Sequence, residues 1–303
     1  MLNTISQFIS KDSPWNLNQA DLDVLLAKFP LGIIAIDLET TGLSPLVDRI
    51  IEIGALKVTP NGIEIFETLV NPEIPIPPFT TDIHGITDEM VKNSPRIKDV
   101  LKNLNDFIGE LPVVAHNAKF DLGFIVMSLH KNQFELSHSK VFCSCKLARV
   151  THPEAENHKL KTLVELHRVP LVNHHRASDD AYASLRVFIE SLRKIKAEYL
   201  EKCAMLFALN EFHPENSEEL PEHLKQLDQL VQSAAVIEIK YSGGTKKNEY
   251  RPVKLTSLLN TPEGNILYAK CLLTDIYKSF KIKKITDIRY PSAQQIQEWL
   301  KRK

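Results

Sequence analysis

The chain has 303 residues, 43% hydrophobic and 25% charged, which is the balance of a globular protein and excludes disordered and fibrous classes. Its net charge of −1 hides an asymmetry: residues 240–303 carry 14 Lys and Arg against 5 Asp and Glu, a surplus of +9 that leaves −10 on the rest. No apolar run approaches the roughly 20 residues of a membrane span, and four cysteines without knuckle spacing exclude a disulfide framework or a zinc module.

Leu22, Leu25, Leu26 and Phe29 recur at helical spacing and Pro30 ends the pattern, so residues 1–30 read as a helical N-terminal extension. The first ten residues lack the basic and apolar regions of a signal peptide, which predicts a cytoplasmic protein. Strands are predicted at 33–37, 50–59 and 63–70, with Pro60-Asn61-Gly62 turning the chain between the last two. Prolines crowd residues 71–80 and predict an extended loop, and 87–90 reads as one helical turn. Ile97, Val100, Leu101, Leu104 and Ile108 then form one apolar helix face. A strand at 113–115, a helix at 120–129, a strand at 141–145 and a helix at 159–167 follow. Ser178 is expected to cap a helix running to about residue 204. Three strands in a meander, then strands alternating with helices, predict an α/β fold with a mixed five-stranded sheet flanked by helices.

Residues 205–230 are dominated by acids, with Pro214 and Pro221 as breakers, and read as an acidic, partly helical linker. From 231 the composition becomes β-like. Strands are predicted at 236–241, 251–255, 266–273 and 280–285, with a turn at Ser242-Gly243-Gly244 and a final helix at 293–301. The domain boundaries predicted are therefore 1–30, 31–204, 205–230 and 231–303. A basic appendage on an acidic body points to a polyanionic partner.

Asp37 and Glu39 close the apolar run 33–36. Two residues apart on a strand, they project from one face. Two adjacent like charges raise each other's pKa and destabilise the fold unless something neutralises them, and a divalent cation would do so. The alternative is that Asp37 ends a strand and Glu39 begins a solvated turn. Further along, His116-Asn117-Ala118-Lys119-Phe120-Asp121 follows a short buried strand and opens a helix. His175-Arg176-Ala177-Ser178-Asp179-Asp180 precedes the long helix and puts Asp180 in its first turn.

The segments Asp-x-Glu-Thr-Thr-Gly from Asp37, His-Asn-Ala-x-Phe-Asp from His116 and His-x-Ala-x-x-Asp-Ala from His175 resemble, in this order, the DnaQ-like exonucleases of the DEDDh type. Those enzymes share a ribonuclease H-like fold. Ile83-His84-Gly85-Ile86-Thr87 is similar to a family segment near the bound strand end, and the resemblance spans roughly residues 31–192. It implies a 3′→5′ exonuclease in which two Mg²⁺ or Mn²⁺ ions clamp the scissile phosphate. Asp37, Glu39 and Asp180 would hold the first ion, Asp37 would bridge to the second, and Asp121 would complete the acidic set. His175 would be the general base, because the family places its histidine five residues before the last aspartate; His174 with Asp179 is the alternative pairing, and Ala181 after Asp180 favours the first. The resemblance puts Thr40, Gly42, Leu43, His84, Asn117 and Phe120 near the terminal nucleotide. His116 reads as structural. The substrate implied is a single-stranded DNA or RNA 3′ end, with polymerase, repair or RNA-processing partners and no membrane. The competing readings are a non-catalytic nucleic-acid-binding or regulatory module, and a proofreading subunit of a DNA polymerase.

Tyr241, Arg251-Pro252-Val253, the segment 267–271 and the segment 280–285 resemble, more faintly, WYL domains. Only Leu267 of the name-giving triplet is present, since Asn265 and Ile266 replace the other two. The side chains themselves suggest phosphate contacts by Arg251, Lys270, Lys281, Lys283 and Lys284, with Tyr241 and Tyr268 as stacking faces. Packing against a neighbouring domain or a second copy is the alternative.

Overall fold

The computed structural model describes residues 7–8, 15–169, 176–212, 219–243, 247–262 and 264–301. His174, His175, Gly244, residues 213–218 and most of the chain before residue 15 lie outside the described residues. The chain divides into two compact units, residues 1–41 with 49–211, and residues 42–48 with 212–303.

The first unit is built on one sheet of seven strands: β1 (Gln7–Phe8), β2 (Ile33–Thr40), β3 (Ile50–Thr59), β4 (Gly62–Leu69), β5 (Val113–Ala115), β6 (Lys140–Cys143) and β7 (Met205–Ala208). Their order is β1-β4-β3-β2-β5-β6-β7. β2, β3 and β4 form the predicted antiparallel meander, and β5 and β6 run parallel to β2. The five predicted strands are the contiguous centre of this sheet. Two short strands extend its edges: β1 pairs with β4, and β7 pairs antiparallel with β6. β7 falls in the stretch expected to be linker. Phe207 is buried at 2% exposure, and the acids that follow hide these four strand residues when composition is averaged.

Three helix expectations are corrected by the structure. The predicted helix from Ser178 to about 204 is two helices, Ala177–Lys194 and Ala197–Ala204, separated at an extended Ile195 that no proline or glycine announces. Ser178 lies inside the first of them, whose N-cap is Arg176. The proline-rich loop ends in a short helix, Pro78–His84, because a proline at the first helical turn lacks only an N–H that would have no partner there. The N-terminal helix, Gln19–Lys28, starts with a reciprocal capping box between Asn18 and Asp21. Asp21 is 1% exposed and forms ion pairs with Arg186 and Arg193 of the helix Ala177–Lys194.

The second unit is a five-stranded antiparallel sheet of β8 (Val236–Tyr241), β9 (Tyr250–Leu259), β10 (Ile266–Cys271), β11 (Ile276–Lys281) and β12 (Ile285–Arg289), in the order β11-β10-β9-β8-β12. Ile237, Ile239, Val253, Leu255, Leu267 and Phe280 form its core with Leu224 and Leu227. The strand expected at 280–285 straddles the end of β11, a 3-10 turn at Ile282–Lys284 and the start of β12. Lys and Ile fill residues 281–285, and the adjacent pair Lys283-Lys284 is the one break in their alternation, at the turn. Residues 42–48 pack with this unit, where the Ser44 and Ser257 hydroxyl oxygens are 2.5 Å apart. Among the described residues no helix is long and apolar enough to cross a membrane.

Candidate active site

Two neighbouring strands grade from apolar to acidic along one face. On β2 the alternating residues are Ile33, Ala35, Asp37 and Glu39; opposite them on β3 stand Val58, Leu56, Gly54 and Glu52. The apolar rows, Ile33 with Val58 and Ala35 with Leu56, join one core with Ala181, Leu185 and Phe188 of the helix Ala177–Lys194. The next rows meet the first turn of that helix. A Cβ built on Gly54 would fall 2.1 Å from Ser178 N and 2.3 Å from Ala177 C, so only glycine lets the helix backbone come this close to the sheet. That contact sits at the register position paired with Asp37.

The approach brings three carboxylates together. Asp37, Glu39 and Asp180 each offer an oxygen, and these oxygens lie within 4.8 Å of one another. All three are half-buried. Asp121 enters from the first turn of the helix Lys119–Lys131, is 2% exposed, and accepts the Leu38 backbone N–H at 3.2 Å. Among the described residues, no Lys or Arg forms an ion pair with Asp37, Glu39 or Asp121.

The electrostatics follow from that. Loss of water, followed by the charges of Asp121, Asp180, Glu39 and Glu52, holds the Asp37 carboxyl well above its ordinary range. Burial, then Asp180, Glu52 and Asp121, pushes Glu39 up to about 8, with Arg176 opposing. Asp121 is pushed up to about 8, chiefly by burial, against backbone hydrogen bonds that favour its anion. A divalent cation held by these carboxylates would supply the missing charge. The donor set is all carboxylate oxygen, which suits Mg²⁺ or Mn²⁺ better than zinc. The Asp37, Glu39 and Asp180 oxygens, within 4.8 Å of one another, are the ones that would hold such an ion.

The other predicted residues are distributed as follows. Asp180 lies with Asp37 and Glu39, whereas Asp179 accepts a hydrogen bond from Trp15 Nε1 at 2.8 Å. Thr40 ends β2 and is buried. Thr41 and Arg49 close the base of the following loop, with Thr41 N donating to Arg49 O and Arg49 N to Thr41 Oγ1, both at 2.9 Å. Gly42 and Leu43 belong to the segment that packs with the second unit, and a Cβ on Gly42 would lie 2.5 Å from the Asp48 carboxylate. His84 is buried, and its Nδ1 accepts the Ile86 N–H at 3.0 Å. Asn117 is exposed in the left-handed region, φ 63°, and its carbonyl accepts the Phe120 N–H, which turns the chain into the helix bearing Asp121. Phe120 is half-buried with its ring 5.2 Å from Phe124. His116 is structural: its ring nitrogens meet Ser144 Oγ at 2.8 Å and His158 O at 3.0 Å, and burial lowers its pKa to about 4.

In the second unit, the Arg251 guanidinium lies over the Phe280 ring and Lys270 pairs with Asp275 at 2.9 Å. Lys281, Lys283 and Lys284 are exposed together at the end of β11, and burial with the two neighbouring ammoniums lowers the Lys281 pKa. Tyr241 is stacked edge-on against Phe280, and burial followed by the Asp48 charge pushes the Tyr268 hydroxyl up to about 12. Both rings are thus engaged within their own unit.

Glu52, Gly54, Arg176 and Trp15 are the site's supporting residues that the sequence reading passed over. A glycine and a glutamate inside an Ile-rich strand were the available signal.

The chain is similar to known proteins. The family model described as Exonuclease (RNase_T) matches residues 34–188, which takes in Asp37, Glu39, Asp121 and Asp180. A DNA polymerase III PolC-type of Caldanaerobacter subterraneus subsp. tengcongensis is 42% identical over 164 residues, 54% of this chain but 12% of that protein. The chain therefore spans about an eighth of the length of such curated relatives. Among solved structures, exonuclease I aligns over 88% of this chain and 67% of its own, with a TM-score of 0.50 and 14% identity, a likeness of fold. Exonuclease X in complex with 5′ overhanging duplex DNA aligns over 56% of this chain and 98% of its own, at 30% identity and a TM-score of 0.44. With more than half of its length matched, this chain is a member of the Exonuclease (RNase_T) family.

Proposed function

We propose that this nuclease is a DEDDh-type 3′→5′ exonuclease that removes nucleoside 5′-monophosphates from single-stranded ends. The observation that carries the reading is the convergence of Asp37, Glu39 and Asp180 oxygens within 4.8 Å, with no side-chain cation paired to the first two among the described residues. Nothing in simple binding of a polyanion calls for converging carboxylates, which would repel it. In this reading Asp37, Glu39, Asp121 and Asp180 hold two Mg²⁺ or Mn²⁺ ions. When bound, such ions supply charge neutralisation and Lewis acidity at the scissile phosphate. His175 accepts the proton of the attacking water, for which an imidazole of ordinary pKa about 6.5 is suited. The water oxygen bonds to phosphorus, the bond from phosphorus to the preceding 3′ oxygen breaks, and that oxygen takes up a proton. Thr40, His84, Asn117 and Phe120 of the first unit shape the seat of the terminal nucleotide, with apolar contact at Phe120. In the second unit, whose likeness to WYL domains rests on its sequence, Arg251, Lys270, Lys281, Lys283 and Lys284 raise the local concentration of strand.

The test is digestion of 5′-labelled single-stranded DNA and RNA, with Mg²⁺ and with Mn²⁺. Wild type releases monophosphates only with a divalent cation, and Asp37→Ala lowers the rate on the order of 10³-fold or more. Undiminished digestion by Asp37→Ala refutes the site. Comparing the two substrates shows whether the pocket admits a 2′-hydroxyl.

A second reading has a specific observation behind it, the 42% identity to a DNA polymerase III PolC-type. On that reading the chain trims primer ends for a polymerase, as a proofreading partner. Co-purification with polymerase subunits, and stimulation of digestion at mismatched primer ends, supports it; activity indifferent to both speaks for independent action.

A further inference from the structure

Glu52 is a buried acid beside the carboxylate cluster that serves a different purpose from its neighbours. It stands opposite Glu39 in the β2–β3 register. Its side chain is 1% exposed, and both oxygens are used: Oε1 accepts Arg176 Nε at 2.9 Å and Nη2 at 2.6 Å, and Oε2 accepts the Ala177 backbone N–H at 3.0 Å. The Arg176 guanidinium also reaches Glu67 on β4 at 3.7 Å. Arg176 is the N-cap of the helix Ala177–Lys194, and its own side chain makes no capping bond. The cap is supplied instead from β3, across 125 residues of sequence. At the same time the Arg176 carbonyl accepts the Asp180 N–H at 3.0 Å. One residue is therefore tied to the sheet by its side chain and to Asp180 by its backbone.

Gly54, two residues further along the same face, carries the other contact, with Ser178 Cα 2.6 Å from where a Cβ would stand. Close contact at Gly54 sets how near the helix lies to the sheet, but a flat contact leaves it free to slide and rotate. The Glu52 hydrogen bonds remove that freedom. A slide of one residue moves Asp180 by about 1.5 Å, which is large against a set of oxygens that must share an ion.

We propose that Glu52 and Arg176 are positioning residues for the exonuclease reaction: their ion pair and the Glu52 bond to Ala177 N fix the start of the helix so that Asp180 meets Asp37 and Glu39. This rests on the proposed function above. In this reading Glu52 serves the helix rather than the ion, with both of its oxygens engaged by Arg176 and Ala177.

The test uses the full chain and two readouts: Mn²⁺ binding to the protein alone by electron paramagnetic resonance, and steady-state digestion of a labelled single-stranded oligonucleotide. Glu52→Gln keeps the shape but replaces one acceptor by a donor. It is expected to weaken Mn²⁺ binding about 10-fold and lower kcat about 10- to 100-fold with KM nearly unchanged, as a misplacement near 1 Å does. Arg176→Lys, which keeps the charge without the forked geometry, is expected to fall between wild type and Arg176→Met. Folded Glu52→Gln and Arg176→Met with wild-type Mn²⁺ affinity and kcat overturn the proposal, as does a loss of activity that only follows the fraction unfolded. If Glu52→Gln does not fold, the Arg176→Lys and Arg176→Met pair decides by the same criteria. Failure of wild type to digest any substrate with Mg²⁺ or Mn²⁺ refutes the nuclease reading instead, and the Mn²⁺ affinities still test the positioning.

Discussion

Acids border the helix Ala177–Lys194 at two places, a single buried aspartate toward its C-terminal end and a cluster at its first turn, and the two differ in what balances their charge. Toward its C-terminal end, Asp21 meets Arg193 Nη2 at 2.6 Å, Arg186 Nη1 at 3.3 Å and the Asn18 N–H at 3.3 Å. At the first turn, Asp37, Glu39, Asp121 and Asp180 crowd together, and among the described residues the first three form no ion pair. A buried charge must be paired or it shifts to its neutral form. Asp21 finds its partners in the chain and serves the fold. Among the described residues Asp37, Glu39 and Asp121 form no such ion pair, and on the proposed function a divalent cation would balance their charge. The presence or absence of an internal cation separates a structural acid from a ligand more sharply than burial does.

Glu52 sharpens the comparison, since it lies within the acidic region but is paired like Asp21. Moving a residue from one class to the other should move its phenotype too. Outside the acid cluster, the largest effect is expected from Gly54→Val, which drives new atoms into the Ser178 backbone and so should lift Asp180 off the sheet. Loss of activity of about 10²-fold or more is expected from a misplacement of that size, with about 1–3 kcal/mol of stability lost to overpacking; kinetics and chemical denaturation read the two. Asp21→Asn should do the reverse. Taking the Asp21 charge away from Arg186 and Arg193 costs about 3 kcal/mol, the low end for a broken buried pair because Arg193 keeps its ion pair with Glu190 at 3.4 Å. Activity per folded molecule should be unchanged.

A smaller effect concerns pH. Glu39 and Asp121, held near 8 without a cation, keep protons in the folded state that they lose in the unfolded state above about 4. The folded state then binds more protons between these limits, so metal-free stability should fall as pH rises from about 5 to about 8. Mg²⁺ should offset that fall in wild type, with melting temperature as the readout, and Asp37→Asn should blunt both. The smallest effect is expected in the second unit. Replacing Lys281, Lys283 and Lys284 by Ala should raise KM modestly and flatten the salt dependence of strand binding by about 0.7 per lost phosphate contact, leaving kcat unchanged.

Much of this was legible in the residues. Asp37 and Glu39 announce themselves as acids at the end of an apolar strand, the five central strands follow from apolar runs and turn residues, and the amphipathic helix Ile97–Ile108 follows from its period. What escaped was long-range. The helix start was read from Ser178, a good local cap, whereas the acceptor for Ala177 N comes from Glu52 on another strand. Gly54 looks like a weak strand residue until the helix is laid over it. β7 is four residues beside a run of acids, and Ile195 breaks a helix with no local marker. In each case tertiary contact decided what neighbouring residues could not.

The most direct test of the central claim is Mn²⁺ binding to the isolated protein, followed by electron paramagnetic resonance, in wild type, Asp21→Asn and an Asp37→Asn/Asp180→Asn double variant. The account predicts binding in wild type, equal binding in Asp21→Asn, and loss of binding in the double variant while it remains folded. Binding of equal strength in the double variant would contradict it, because the acids at the first turn of the helix would then have no part in holding the ion.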